Sequence, residues 1–240
     1  FTENMGPIDL YMEQDLLPQL IREIDYLKKY KYGCNEQTAS KLMALCLEKS
    51  LRKQLDEPFE EEGQIQKCIA RLEQNQNEAG GWGWWNRSTS KSWITRHVIK
   101  ALLMANELGY SSRSLEMALR NLTRDSETWP KHEVLQNLSI LAQADQNFPY
   151  EKRLSVLDTQ SNSIGQQLEI LRIKQLRGLP YELDSLYLHR KTTLFGSHYW
   201  GVPSYGFPGN DIRLTLLAHD ILIEAGKANE AQKARTFFIE

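Results

Sequence analysis

Cys34 and Gln37 stand three residues apart in Tyr30-Lys31-Tyr32-Gly33-Cys34-Asn35-Glu36-Gln37, which leads straight into a stretch of helical periodicity. Side chains at i and i+3 are neighbours on a helical turn, so the thiol can meet the amide. A thiolate attacking that amide carbonyl expels ammonia and leaves an internal β-cysteinyl-γ-glutamyl thioester, a single-use acyl donor. Glu36 lies between the two and faces away, free to hydrogen-bond elsewhere. The plain alternative is a half-buried helix-start cysteine beside a surface glutamine, since cysteine often serves as a small hydrophobe. The reactive reading makes two demands on the surroundings. The helix start must offer N–H groups and its positive dipole end to the attacked carbonyl oxygen. Aromatic rings must keep water away, and Tyr30, Tyr32, Trp82, Trp84, Trp85, Tyr199 and Trp200 are the candidates for that shield. The same rings would also serve simply to pack the loop end of the fold.

The elements that must hold these residues are helical almost throughout. Ala39, Leu42, Met43, Cys46, Ser50 and Leu51 form a stripe at three- and four-residue steps. Further stripes run through Ile94–Ala105, Val134–Ala142, Ile164–Gln175 and Leu214–Ala225, the first and last of them stopped by Gly109 and Gly226. Pro130 reads as a first-turn proline ahead of the Val134 stripe. Period-two alternation over a strand length is missing, and about eleven helices are expected by this pattern. The segments 94–109 and 212–226 share one scheme, each following an aromatic, glycine-rich loop: Gly80-Gly81-Trp82-Gly83-Trp84-Trp85, and Tyr199-Trp200-Gly201 with Tyr205-Gly206-Phe207. A weaker copy starts at Trp129-Pro130. Helix hairpins repeated at roughly 40–50 residues stack into solenoids or close into a ring of inner and outer helices, and aromatic loops gathered at one end favour closure. The expectation is an all-α fold in one domain spanning 1–240, with no evident linker.

The octet around Cys34 resembles the thioester motif of the alpha-2-macroglobulin and complement family, usually Pro-Tyr-Gly-Cys-Gly-Glu-Gln. Tyr32, Gly33, Cys34, Glu36 and Gln37 match in place, Lys31 stands where proline is usual, and Asn35 where glycine is frequent. Asparagine tolerates a left-handed backbone better than most residues, should that position require one. The similarity extends to the loop 80–85 and to Ser92-Trp93-Ile94-Thr95, and the lysine and alanine choices look like bacterial members. This resemblance implies an (α/α) toroid of about six helix pairs with the thioester at one end. It also implies a place within a larger chain, where the domain abuts neighbouring domains and covalently traps target proteases by acylating an amine or hydroxyl. That is inhibition by a bond made once, not enzymatic turnover. Such a chain is expected outside the cytoplasm, in the periplasm or at the cell surface. Phe1 at the start, and a helical pattern still running at Phe238-Ile239-Glu240, fit a segment cut slightly short. In hydroxyl-preferring relatives a histidine takes up the acyl group, and His132, just ahead of the Val134 stripe, is similarly placed.

Composition narrows the remaining classes. The chain has 240 residues, 41% hydrophobic and 25% charged, with a net charge of −2, which is an ordinary globular balance. That charge gives no attraction to nucleic acid or to an anionic membrane, and no apolar run is long enough to span a bilayer. Three cysteines cannot form a closed disulfide framework. Cys46 and Cys68 read as core thiols, with a bridge between them the lesser alternative. The five histidines show no metal-ligand spacing, and no cofactor is expected. One enzyme class competes. Gln76, Gly80 and Trp82 fit the Gln-x-x-x-Gly-x-Trp pattern of triterpene cyclases, which are also α/α toroids. The Asp-x-Asp-Asp proton donor of those enzymes and the zinc set of protein prenyltransferases are not apparent, while a toroidal glycosidase would need two carboxylates in its cup.

Overall fold

The computed structural model describes residues 17–29, 33–158, 163–203 and 209–239. Within them lie eleven α-helices: α1 (Leu17–Lys28), α2 (Asn35–Gln54), α3 (Glu62–Asn75), α4 (Ser92–Glu107), α5 (Arg113–Arg124), α6 (Val134–Gln143), α7 (Tyr150–Asp158), α8 (Ile164–Leu176), α9 (Asp184–Leu188), α10 (Asp211–Glu224) and α11 (Ala228–Thr236). The all-α expectation holds. A two-residue antiparallel pair, β1 (Lys191–Thr192) with β2 (His198–Tyr199), is too short to leave an alternating pattern in the sequence. Gly109 and Gly226 end α4 and α10 with φ of +90° and +70°, a left-handed turn that glycine adopts without a Cβ clash. Pro130 differs from expectation: it precedes a short 3-10 turn, Lys131–Glu133, and α6 begins only at Val134. The helical pattern at the other end also stops earlier than it reads. Past Thr236 the chain tightens into turns with i→i−3 bonds from Phe238 and Ile239, and Phe237 stacks on Tyr199 at 5.1 Å.

Even-numbered helices pack in succession, α2 on α4, α4 on α6, α6 on α8 and α8 on α10, while odd-numbered helices back them. Helix α8 is apolar on two sides. Ile170 and Ile173 join the first core with Leu42, Leu45, Leu72, Leu102 and Leu138, whereas Leu168 and Leu171 join the second with Leu186, Leu214 and Leu222. An element buried on opposite faces has little amphipathic contrast, and its role here is to join the two cores.

The repeat seen in the sequence is a repeat of hydrogen bonds. Trp82 is fully buried; its indole N–H caps the end of α3 at the Leu72 carbonyl (2.8 Å), and its backbone N–H donates to Thr95 Oγ1 (3.0 Å). Trp200, also fully buried, donates to the Leu186 carbonyl (2.7 Å) and to Thr215 Oγ1 (3.0 Å). Each tryptophan thus ties the end of one helix to the start of the next. Glycine follows both for a steric reason. A Cβ on Gly83 would lie 2.3 Å from the Thr89 carbonyl oxygen, and one on Gly201 would lie 2.7 Å from that of Gly209. The weaker copy lacks the device, since Trp129 stacks on Phe148 and its buried indole N–H has no partner among the described residues.

Helix α1 is held to α2 by charge. Lys28 Nζ lies 2.7 Å from Glu48 Oε2 and 2.9 Å from Glu61 Oε1, and Arg52 Nε donates to Glu48 Oε1 at 2.8 Å. Burial opposes the charge on Glu48, but the hydrogen bonds from Lys28 and Arg52 outweigh it and hold the carboxyl below its ordinary value of 4.5. A depressed carboxyl stabilises the fold above its unfolded pKa, and that stability is lost as pH falls through the folded value. Removing one partner strands the others, so Glu48→Gln should cost about 3 kcal/mol near neutrality. The deficit should shrink as pH falls from the unfolded carboxyl value through the depressed folded one, below which Glu48 is protonated in either state; urea unfolding across that range measures it, and a constant difference would exclude the linkage.

Candidate functional site

Cys34 is the residue that starts α2. Its backbone is extended (φ −68°, ψ 165°), and its Sγ accepts from the Gln37 backbone N–H at 3.4 Å, where a serine or aspartate oxygen usually sits. This cap places the sulfur over the first turn, from which the Gln37 side chain also projects. Cys34 is only 4% exposed, and the Gln37 Oε1 atom is buried with no hydrogen-bond partner among the described residues. Leaving a buried carbonyl oxygen unpaired costs on the order of 1–3 kcal/mol. A thiol and an unpaired amide carbonyl therefore share one turn, out of water.

Asn35 connects this turn to the tryptophan loop. It is fully buried, and its Nδ2 donates to the carbonyls of Gly83 (3.0 Å) and Trp85 (3.2 Å). Its Oδ1 accepts from Asn75 Nδ2 at 2.8 Å, and its backbone N–H donates to the Trp84 carbonyl at 2.9 Å. The residue is helical and not left-handed, so the asparagine is there for hydrogen bonds and not for backbone tolerance. These bonds also revise the supply of donors at the helix start. Two of the end N–H groups are engaged, Asn35 with Trp84 and Gln37 with the cysteine sulfur. Gly33 completes the turn: Arg71 Nη2 donates to its carbonyl at 2.6 Å and occupies the space a side chain would need.

The proposed aromatic shield divides. Trp82 and Trp200 are core residues, one in each hydrophobic cluster, because their indole N–H groups are drawn to helix-end carbonyls. Trp84 and Trp85 are exposed, at 44% and 60%, and Trp84 meets the half-exposed Trp93 edge-on at 5.2 Å. Tyr199 sits on β2 against Phe237. Tyr30 and Tyr32 lie outside the described residues, as do Lys31 and the Tyr205–Phe207 loop. The Gln76 amide does not cap α3; it bridges the carbonyls of Gly80 and Ser114, both at 2.9 Å, and ties the loop to α5. Cys46 and Cys68 are buried free thiols rather than a bridge. Burial pushes Cys46 up to about 12 and raises Cys68 as well, which keeps both protonated and unreactive.

Glu36 faces α4. Its Oε1 accepts from Ser40 Oγ at 3.0 Å, Ser40 Oγ is 2.9 Å from His97 Nε2, and His97 Nε2 is 4.0 Å from Glu36 Oε1. His132, by contrast, lies in the 3-10 turn before α6 with its side chain 82% exposed, and its ring nitrogen lies 3.9 Å from a carboxylate oxygen of neighbouring Glu133. The histidine that meets α2 is His97. It gives no local signal in the sequence, since 57 residues separate it from Ser40. His97 also lines a cavity of about 380 Å³ with Trp93, Arg96, Lys100, Glu169 and Arg213. Its walls come from the N-terminal halves of α4, α6 and α8 and from the start of α10, the same ends at which α2 carries Cys34. Glu169 is the lone carboxylate in that lining and is paired with Arg213.

No protein-family profile matches the chain. In sequence it is similar to alpha-2-macroglobulin of Escherichia coli (strain K12), 34% identical over 121 residues that cover 45% of this chain and 7% of that protein. In structure it is similar to native E. coli alpha-2-macroglobulin from domain MG7 to the C-terminus, with a TM-score of 0.63, 20% identity, and coverage of 90% of this chain and 38% of that one. A Salmonella alpha-2-macroglobulin mutant matches with a TM-score of 0.60 and 19% identity, over 92% of this chain and 16% of that one. The trypsin-activated E. coli protein matches with a TM-score of 0.57 and 20% identity, over 86% and 16%. The chain thus spans far less than two thirds of each of these proteins, and it resembles bacterial alpha-2-macroglobulins in both sequence and fold.

Proposed function

We propose that this chain is the thioester-bearing domain of a bacterial alpha-2-macroglobulin-like protease inhibitor, and that Cys34 and Gln37 form the thioester. The observation that carries the proposal is the first turn of α2, where a buried cysteine sulfur caps the helix beside a buried Gln37 carbonyl oxygen that has no hydrogen-bond partner among the described residues. Attack by an amine or hydroxyl on that carbonyl transfers the acyl group and releases the sulfur at the positive end of the helix dipole, which favours the developing negative charge. A target protease supplying the nucleophile becomes covalently bound. The alternation of even and odd helices supports a toroid of inner and outer helices with the thioester at one end. The exposed Trp84, Trp85 and Trp93 beside α2 provide a surface for a neighbouring domain of the longer chain to cover. Encounter with foreign proteases puts the protein outside the cytoplasm. No helix among the described residues is long and apolar enough to cross a membrane. The enzyme alternative finds no second carboxylate in the cavity lining to act with Glu169.

Intact mass tests the bond. The native full-length protein should weigh ~17 Da less than its sequence, the mass of one ammonia, and methylamine should restore mass by labelling Gln37. Cys34→Ala should abolish both. A freshly prepared protein with full sequence mass, no label and a freely alkylated Cys34 would refute the assignment.

A further inference from the structure

We propose that Ser40 and His97, with Glu36, form a proton relay that takes the proton from the nucleophile attacking Gln37 and returns it to the departing Cys34. The inference rests on the thioester reading above and assigns roles to Ser40 and His97, which the motif does not include, alongside Glu36, which it does. Ser40 follows Gln37 by three residues and is its neighbour on the helix surface. Its hydroxyl is within hydrogen-bond distance of both Glu36 Oε1 (3.0 Å) and His97 Nε2 (2.9 Å), so its single proton can point either way. His97 links the two sides of this contact: it meets Ser40 of α2 and also lines the cavity.

The charged groups around the ring favour a neutral base that can be protonated transiently. Burial, with Lys100 on the same helix, outweighs nearby Glu36 and holds His97 below the ordinary histidine range, so it is neutral at pH 7. Arg96 flanks it on α4 and is paired with Glu133; across the cavity Arg213 of α10 is paired with Glu169 of α8. Glu36 remains as the anion that steadies an imidazolium.

The step balances within these groups. The amine nitrogen bonds to the Gln37 carbonyl carbon, and the carbon–sulfur bond breaks with its electrons on Cys34. The amine loses one proton to Ser40 Oγ while Ser40 gives its own to His97 Nε2. The imidazolium then returns a proton to the thiolate, leaving a substituted Gln37 amide and a neutral thiol. A general base so placed contributes roughly 100-fold or more.

The test follows incorporation of trifluoroethylamine, a weakly basic amine, into the native full-length protein by intact mass from about pH 5 to about pH 8, with every rate expressed per unprotonated amine so that the amine's own titration cancels and only that of the protein remains. Wild type should slow toward the acid end as His97 protonates. His97→Gln and Ser40→Ala should react roughly 100-fold more slowly and lose that acid limb, while Ser40→Thr, which keeps the hydroxyl, should restore most of the rate. A residue that merely braces α2 against α4 would not move the pH profile. Variants within about twofold of wild type that retain the limb would overturn the relay. If His97→Gln fails to form the thioester, the Ser40→Ala and Ser40→Thr pair decides. Wild-type protein that takes up no amine refutes the thioester assignment itself, and the relay with it.

Discussion

Trp82→Ala should destabilise the domain by about 4 kcal/mol, within the range for emptying a large buried aromatic site. The side chain is fully buried in the core shared by α2, α3 and α4, so its removal leaves a cavity that three helices cannot close together. It also frees the Leu72 carbonyl at the end of α3 from its indole donor. For a chain of this size the loss corresponds to a fall in Tm of roughly 8–16 °C. Trp82→Phe separates the two effects: it keeps most of the ring and should cost about 1–2 kcal/mol for the lost N–H bond and the smaller volume. Urea unfolding monitored by circular dichroism gives both numbers. Equal costs for the two variants would mean that the hydrogen bond and not the packing dominates, contrary to the burial seen here.

Asn35→Ala should cost about 3 kcal/mol and also reduce the fraction of molecules that carry the ammonia-deficient mass. The substitution strands Asn75 Nδ2 without its acceptor and the Gly83 carbonyl without its donor, while the Trp85 carbonyl keeps the Ser88 N–H and hydroxyl. Buried groups left unpaired lose solvation with no return, which is why removing one member of a satisfied network costs more than the bond gained in forming it. Asn35→Gly, which restores the residue frequent in the resembled motif, should be no better, because the partners here are built for an amide. A double-mutant cycle with Asn75→Ala should show a coupling of about 1 kcal/mol or more. Additivity of the two substitutions, or an unchanged yield of the deficient mass in Asn35→Ala, would show that the network does not position the Cys34 turn.

What was legible in the sequence was local. Helical stripes, the stopping glycines and the paired Trp-Gly dipeptides each depend on contacts within a few residues or on one backbone conformation, and the described residues form eleven helices with two equivalent tryptophan caps. The spacing of Cys34 and Gln37 is of the same kind, since one helical turn brings i and i+3 together whatever lies around them. Ring chemistry was not legible in this way. Trp82, Trp84 and Trp85 stand within four positions of one another, yet the first is fully buried and the others exposed, because only Trp82 has a helix-end carbonyl and a core cavity within reach. Asn35 and Asn75, and Ser40 with His97, are joined across 40 and 57 residues, through helices whose packing decides which faces meet. The sequence by itself determined the helices and the turn that carries Cys34 and Gln37. Only the tertiary structure decided what surrounds that turn: which rings cover core and which face solvent, and that His97, not His132, is the histidine placed against α2. The physical reason is that periodicity specifies which face of a helix is apolar, whereas a polar partner is chosen by the neighbouring helix that burial of that face brings alongside.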